Sequence, residues 1–147
     1  MSTVPTLPGI TSQRVPTSRL TVHVLTSGPA DGAPVVFVHG NVSSATFWEE
    51  TMLRLPEGFR GIAPDLRGYG DTDPEPIDAT RGLSDHADDV WAAIQALELG
   101  ADGSTGAGES AVAQTIGLGL NSTLGSAGYA LSLAGGADTG AGEEKRD

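Results

Sequence analysis

The chain contains no cysteine, and this absence excludes several kinds of chemistry. Without cysteine there is no disulfide framework, no thiolate metal site and no thiol nucleophile. Basic residues are also scarce, since eight lysines and arginines stand against nineteen aspartates and glutamates, which gives a formal net charge of −11. Such a charge repels phosphate backbones and anionic membrane surfaces. We therefore expect neither a nucleic-acid partner nor a membrane partner.

Long hydrophobic runs are absent as well. No apolar stretch approaches the roughly 20 residues of a membrane-spanning helix, and the amino-terminal segment lacks the apolar core of a signal peptide. The sequence therefore predicts a cytoplasmic protein. It contains no cluster of ligand side chains, so we expect no metal and no cofactor. At 147 residues the chain has room for one ordinary domain, and no motif assigns it an oligomeric state.

The composition changes near residue 100. All nine prolines lie at or before Pro76 and all three histidines at or before His86, whereas eleven of the 21 glycines fall in the last 47 residues. Small side chains and frequent glycine bury too little apolar surface to offset the entropy lost when the backbone is ordered. We therefore predict a flexible N-terminus over 1–13, a partial α/β domain over 14–100 and a low-complexity, disordered tail over 101–147.

Three stretches before residue 100 predict β-strands. Residues 20–24 alternate between apolar and polar side chains, as a half-covered strand does. Val35 to Val38 form an unbroken β-branched and aromatic run, which is typical of a strand covered on both faces in a parallel sheet. Phe59 to Ala63 predict the next strand. With the helices between and after them, the predicted order is two leading strands, of which residues 20–24 form one, followed by β-α-β-α, which indicates an α/β sheet.

The first predicted helix follows the central apolar strand. Ser43 or Ser44 is suited to cap it, and it extends to about Leu55. Its spacing places Phe47 and Met52 against the sheet, together with Leu55. The second predicted helix carries one apolar stripe with spacings of four, three, four and three residues, formed by Leu83, Ala87, Val90, Ile94 and Leu97. Ser84 and Asp85 are expected to cap this helix, and Gly100 to end it.

The dipeptide His39-Gly40 stands where the central strand ends. The carboxyl edge of an open α/β sheet is where such folds bind ligands. Glycine lets the chain turn there, and the backbone N–H of Asn41 can then point at an oxygen that develops negative charge, a contribution of roughly 3 to 4 kcal/mol to a reaction barrier. The alternative interpretation is that His-Gly is simply the turn at a strand end.

A second motif, DLRGYGDT from Asp65 to Thr72, follows the next predicted strand directly. Its glycines permit a tight turn, and a charge-assisted pair between Asp65 and Arg67 is expected to hold the loop. We interpret this motif as structural. Trp48, at helical spacing near Phe47, is likewise predicted to pack in the core instead of lining a ligand pocket.

Three stretches taken together, PVVFVHGNVSSATFW, APDLRGYGDT and SDHADDVWAAIQALELG, resemble the amino-terminal half of an α/β-hydrolase of the esterase, lipase, epoxide-hydrolase and haloalkane-dehalogenase group. The order and spacing match over roughly residues 14–100. The resemblance implies an α/β-hydrolase sheet and, in full-length relatives, hydrolysis of an ester, epoxide or related bond in a small-molecule substrate by a nucleophile, a histidine and an acid.

By this resemblance, His39 and Gly40 shape an oxyanion loop, and the backbone N–H of Asn41 is one of its donors. Dehalogenases of this group also bind halide with the side chain of an asparagine after His-Gly, which is a second interpretation of Asn41. In those enzymes a proline usually follows the asparagine, whereas this chain has Val42.

The catalytic residues of the family are missing from the sequence. The nucleophile elbow, Gly-x-Ser-x-Gly, is absent, and its nearest approaches are GESA from Gly108 and LGSAG from Leu124. No histidine follows His86, although the family's catalytic histidine comes after its nucleophile. His23 and His86 are interpreted as structural or solvent-facing, so no nucleophile, acid or catalytic histidine is identified.

Two interpretations of the whole chain remain. In the first, the chain is a truncated or frameshifted hydrolase without activity, with the shift near codon 100. In the second, it is a non-catalytic interaction module, because the strand from Val35 to Val38 would have an open edge able to pair with a partner. A third possibility, a designed linker or self-assembling tail, is disfavoured by the lack of any repeat period.

Overall fold

Three strands come before the first helix in the computed structural model, which describes residues 5–99 and 128–132. The strands are β1 (Thr11–Pro16), β2 (Thr21–Ser27), β3 (Ala33–His39), β4 (Phe59–Pro64) and β5 (Gly128–Ser132). The helices are a 3₁₀ helix at Ala45–Trp48, α1 (Glu49–Leu53), a second 3₁₀ helix at Ala79–Arg81 and α2 (Ser84–Ala96).

The five strands form one sheet in the order β1-β2-β4-β3-β5. β1 and β2 are antiparallel, β2 is antiparallel to β4, and β3 is parallel to β4. Two leading strands followed by β-α-β-α are the predicted order, so the α/β fold class and the amino-terminal half of an α/β-hydrolase sheet are confirmed. Among the described residues, no helix has both the length and the apolar character needed to cross a membrane.

Both faces of β3 are covered, as its apolar run predicts. Val36 and Val38 pack with α2 on one face, where Val90 and Ile94 belong to the same cluster. Phe37 packs on the other face with the segment from Ala45 to Met52. Burying side chains of this size stabilises the fold by roughly 1.5 to 3 kcal/mol each. The two layers of helix therefore hold β3 in the centre of the hydrophobic core.

The first helix differs from its prediction. Met52 is buried as expected, but Phe47 is 55% exposed. The reason is that the first turn is a 3₁₀ helix, whose three residues per turn point Phe47 away from the sheet. Trp48 instead packs against the cluster on that face, with its ring 5.2 Å from the ring of Phe37, so the prediction that it lies in the core is confirmed.

The caps of the helices also differ from the prediction. Ser44 precedes the 3₁₀ helix but makes no capping hydrogen bond with its side chain, and α2 has Leu83 at the capping position. The carboxylate of Asp85 instead accepts a hydrogen bond from the backbone N–H of Asp78. α2 ends at Ala96, before the predicted end at Gly100, and Glu98 takes the left-handed conformation just after it.

The predicted tail contains a strand. β5 pairs antiparallel with β3, from Val35 opposite Ser132 to His39 opposite Gly128. The expectation of disorder is therefore wrong for Gly128–Ser132, and the β3 edge that we expected to be open is paired. The unpaired N–H and C=O groups of a central strand are a template for a further strand, and β5 satisfies them. The interaction role that depended on an open β3 edge loses its basis there.

The elbow-like stretch that begins at Gly108 lies outside the described residues, and so does the one that begins at Leu124 apart from Gly128, the first residue of β5. At the other end, order begins before the predicted boundary at residue 14. β1 starts at Thr11, Ile10 is buried, and the backbone N–H of Leu7 donates to the carboxylate of Glu49. The amino-terminal segment therefore packs against the helical layer next to β3.

Candidate functional site

The carboxylate of Asp65 lies at the end of β4 and is buried, with 4% of the residue exposed. One of its oxygens accepts a hydrogen bond from the backbone N–H of Ala45 at 2.7 Å. The other accepts from His23 Nδ1 at 2.7 Å and from the backbone N–H of Asp71 at 3.1 Å. Burial raises the pKa of Asp65, but these hydrogen bonds outweigh it and hold the pKa below its ordinary value.

The expected partner of Asp65 was Arg67, and this prediction is wrong. The Arg67 guanidinium instead forms two hydrogen bonds with Asp89 on α2, at 2.7 and 2.8 Å, and a third with the backbone oxygen of Pro76. Hydrogen bonding to Asp89 raises the pKa of Arg67. Arg19 also binds Asp89 at 2.7 Å. The motif therefore has a structural role, but its loop is held by the pair between Arg67 and Asp89 on α2 and not by a pair within the motif.

Gly70 is required where the second motif turns over the buried carboxylate. Its φ is +50°, and a Cβ added to it would lie 1.9 Å from Oδ2 of Asp65. Thr72 completes the turn, because its hydroxyl donates to the backbone oxygen of Asp65 and accepts from the backbone N–H of His23. The loop therefore closes around Asp65 and is hydrogen-bonded to β2.

His39 is fully buried at the carboxyl end of β3. Its Nδ1 donates to the backbone oxygen of Gly40 at 2.8 Å, and its Nε2 accepts from the backbone N–H of Leu66 at 2.9 Å. These partners fix one neutral tautomer. Burial lowers the pKa of His39, although the Gly40 oxygen and the charge of Asp65 oppose the shift. With both nitrogens engaged, His39 is a structural link between the two loops and not a proton acceptor.

Asn41 is exposed just beyond His39 and Gly40. Its Oδ1 accepts hydrogen bonds from the Tyr69 hydroxyl at 2.6 Å and from the backbone N–H of Val42 at 3.0 Å. A backbone N–H only donates, so the atom facing it is the amide oxygen. The two hydrogens of Nδ2 therefore point elsewhere. Val42 takes the left-handed conformation, with φ of 55°.

The backbone N–H of Asn41 has no acceptor among the residues that the structure describes. The main chain and the side chain of Asn41 therefore both present hydrogen-bond donors, while the amide oxygen is already bonded. A group with this arrangement is suited to an oxygen or halide that carries negative charge. No group of three potential metal-ligand side chains occurs in the described part of the chain.

Tyr69 was not among the predicted site residues, and the structure places it at the centre of the site. Its hydroxyl holds Asn41, and its ring contacts the ring of His39 edge to face with centroids 5.2 Å apart. A sequence signal was available, because both motifs follow neighbouring parallel strands whose carboxyl ends meet at one edge. That signal brings the two loops together but does not identify which side chains touch.

The remaining two histidines are buried, so neither faces solvent. His23 is 5% exposed and bonds to both Asp65 and the hydroxyl of Ser12. His86 is also 5% exposed, and its Nδ1 has no hydrogen-bond partner among the described residues. Burial lowers the pKa of His86.

Comparison with known proteins agrees with this fold. Residues 35–140 match the model of the alpha/beta hydrolase family. The chain belongs to this family. A non-heme chloroperoxidase from Streptomyces lividans is 46% identical over 89 residues, covering 57% of this chain and 32% of that protein. A haloalkane dehalogenase from Agrobacterium fabrum is 35% identical over 91 residues, covering 62% of this chain and 29% of that protein.

Solved structures of the family share the fold of the described residues. An epoxide hydrolase from Vigna radiata has a TM-score of 0.56 at 32% identity, over 63% of this chain and 30% of that structure. The chain thus spans about a third or less of the length of these relatives.

The two buried histidines with lowered pKa predict how stability depends on pH. Between their folded pKa and the ordinary value of 6.5, the unfolded chain binds more protons than the folded chain. The free energy of unfolding should therefore fall as pH drops from 7.5 to about 5.5, by at most about 1.4 kcal/mol per pH unit for each histidine. Urea unfolding followed by circular dichroism measures this slope.

The matched control is His86→Gln, which removes one of the two titrating groups and keeps a polar side chain of similar length. Its slope should be shallower than that of the parent chain and should not vanish, since His39 remains. A slope as steep as the parent's would contradict the assignment of His86. The contribution of Asp65 lies in a separate window, because a lowered carboxyl pKa adds stability that is lost only below about its ordinary value of 3.8.

Proposed function

We propose that this chain carries the oxyanion-loop half of a hydrolase that cleaves an ester, epoxide or related bond in a small-molecule substrate. His39 and Gly40 shape the loop, and the backbone N–H of Asn41 is a donor to the developing oxyanion. The observation that carries the proposal is this N–H, which lies at the carboxyl edge of the sheet without an acceptor among the described residues. An epoxide hydrolase and a haloalkane dehalogenase among the similar proteins support this class of substrate.

Two hydrogen bonds position the loop as a preorganised donor. At the start of the loop, His39 Nε2 accepts a hydrogen bond from the backbone N–H of Leu66. The Tyr69 hydroxyl donates a second hydrogen bond to Oδ1 of Asn41. Both contacts come from the loop after β4, which Asp65 holds in turn. Donors fixed before a substrate arrives need no reorganisation during the reaction, which is where a contribution of roughly 3 to 4 kcal/mol per donor arises.

We further propose that the chain has no hydrolase turnover by itself. The 147 residues contain no Gly-x-Ser-x-Gly elbow and no histidine after His86. His39 has both ring nitrogens engaged, so it does not replace the missing base. The chain therefore supplies stabilisation of the oxyanion without the family's catalytic histidine.

The donor assignment predicts a response to anions. In a ¹⁵N-labelled sample titrated with sodium butyrate, the backbone N–H and the side-chain NH₂ of Asn41 should shift and approach saturation. The carboxylate stands in for an oxyanion and accepts from both donors. The NH₂ signal of Asn121, the chain's other asparagine, reports the general salt effect in the same spectra. In Asn41→Asp, which has nearly the same shape but adds a negative charge, the backbone response should disappear. Equal shifts for the two asparagines would contradict the assignment.

The lack of a histidine after His86 predicts no steady-state activity. The chain should release nitrophenol from p-nitrophenyl butyrate no faster than buffer once one equivalent per chain has formed, because no late histidine exists to regenerate the enzyme. The measurement is absorbance after manual mixing at several chain concentrations. Continued release in proportion to the chain concentration would overturn the proposed inactivity and would leave the donor role of Asn41 untouched.

A further inference from the structure

Three side chains from different parts of the sheet form a connected row at its β1 end. The Ser12 hydroxyl on β1 lies 2.8 Å from Nε2 of His23 on β2. Nδ1 of the same ring lies 2.7 Å from Oδ2 of Asp65. Serine, histidine and aspartate joined through these two nitrogens make the arrangement in which a hydroxyl is activated as a nucleophile.

The direction of each hydrogen bond in this row follows from its neighbours. The Asp65 carboxylate already accepts backbone N–H groups and has a lowered pKa, so it is ionised and accepts from His23 as well. The proton between them therefore sits on Nδ1. In the neutral ring, Nε2 then has its lone pair directed at Ser12 and accepts the hydroxyl proton.

Burial differs along the row in the way that reactivity requires. Asp65 and His23 are 4% and 5% exposed, whereas Ser12 is only partly buried on a strand at the edge of the sheet. The base is buried, and Ser12 is the member of the row that is partly exposed. β2 and β4 separate β1 from β3 in the sheet, so Ser12 is not part of the loop around Asn41.

We propose that Ser12 is a nucleophile, activated by His23 and Asp65, that accepts covalent adducts from electrophilic acyl or phosphonyl donors. With a fluorophosphonate, Ser12 Oγ forms a bond to phosphorus while its proton passes to His23 Nε2, and the phosphorus–fluorine bond breaks to release fluoride. With an ester, Oγ attacks the carbonyl carbon, the alcohol leaves with the proton from His23, and the acyl group stays on Ser12. We assign no oxyanion donor to Ser12, so the expected reaction is a single modification and not turnover.

The test is labelling of the full chain with an alkyl fluorophosphonate, followed by mass spectrometry of its peptides to locate and time each adduct. Ser43 and Ser44 serve as internal controls, because they are also partly buried but have no histidine hydrogen bond in the described structure. General-base assistance contributes roughly 10² to 10⁴-fold to a rate. Ser12 should therefore be modified at least about 100-fold faster than either control.

Two variants and one condition separate activation from simple exposure. Ser12→Ala should remove the fast adduct, and His23→Gln, which keeps a hydrogen-bonding side chain but no base, should slow labelling of Ser12 to the rate of the controls. Unfolding the parent chain in urea should equalise the three serines. The proposal is overturned if Ser12 in the folded parent reacts no faster than Ser43, or if a folded His23→Gln chain is labelled at the parental rate. The labelling rates of the three serines in the folded parent chain test the proposal even if a variant fails to fold.

Discussion

The buried carboxylate of Asp65 is the constraint on which the loops of this half-sheet depend. Placing a charge in the protein interior carries a desolvation penalty of several kcal/mol unless hydrogen bonds compensate it. Here the compensating donors come from three separate segments: His23 on β2, the backbone of Ala45 at the start of the 3₁₀ helix, and the backbone of Asp71 in the following loop. One ionised group thus fixes the positions of three pieces of chain relative to β4.

The candidate site inherits its geometry from this anchor. Because Asp65 fixes the start of the loop after β4, the backbone N–H of Leu66 meets Nε2 of His39, and Tyr69 reaches Asn41. The end of β3 and the end of β4 are therefore joined by side-chain and backbone hydrogen bonds in addition to strand pairing. Burial and these partners keep His39 neutral, so a residue that could act as a base in another setting serves here as a connector.

The spacing of apolar residues in the sequence predicts the buried faces of β3 and α2. The unbroken apolar run of β3 and the stripe on α2 each describe a buried face without reference to the rest of the chain, and both predictions are confirmed. The prediction that Phe47 packs against the sheet is wrong because the first turn after β3 is a 3₁₀ helix. A hydrogen bond to Asp65, twenty residues away in sequence, fixes the start of this helix. The prediction of disorder is wrong for β5 because this strand is stabilised by pairing with the edge of β3. Such pairing cannot be read from the composition of a glycine-rich segment.

For the site, the sequence places the correct loops but not the correct contacts. His39, Gly40 and Asn41 lie at the carboxyl edge of the sheet as their motif indicates. The partner of Asp65 could not be identified in the same way, because Arg67 is adjacent in sequence whereas His23 is adjacent only through the pairing of β2 with β4. Strand register and the position of α2 determine which charged groups form pairs. Both are known only from the folded structure.

The most direct test of the organising role of Asp65 compares two glycines in the same loop. Gly68 and Gly70 both have positive φ, but a Cβ on Gly68 meets nothing within 4 Å, whereas one on Gly70 would strike the Asp65 carboxylate. The free energy of unfolding should fall by about 1 to 2 kcal/mol in Gly68→Ala, from backbone strain alone. In Gly70→Ala it should fall by about 3 kcal/mol or more, because the buried carboxylate is displaced from its donors. Equal losses in the two variants would contradict the account, since they would show that the carboxylate can move without disturbing the fold.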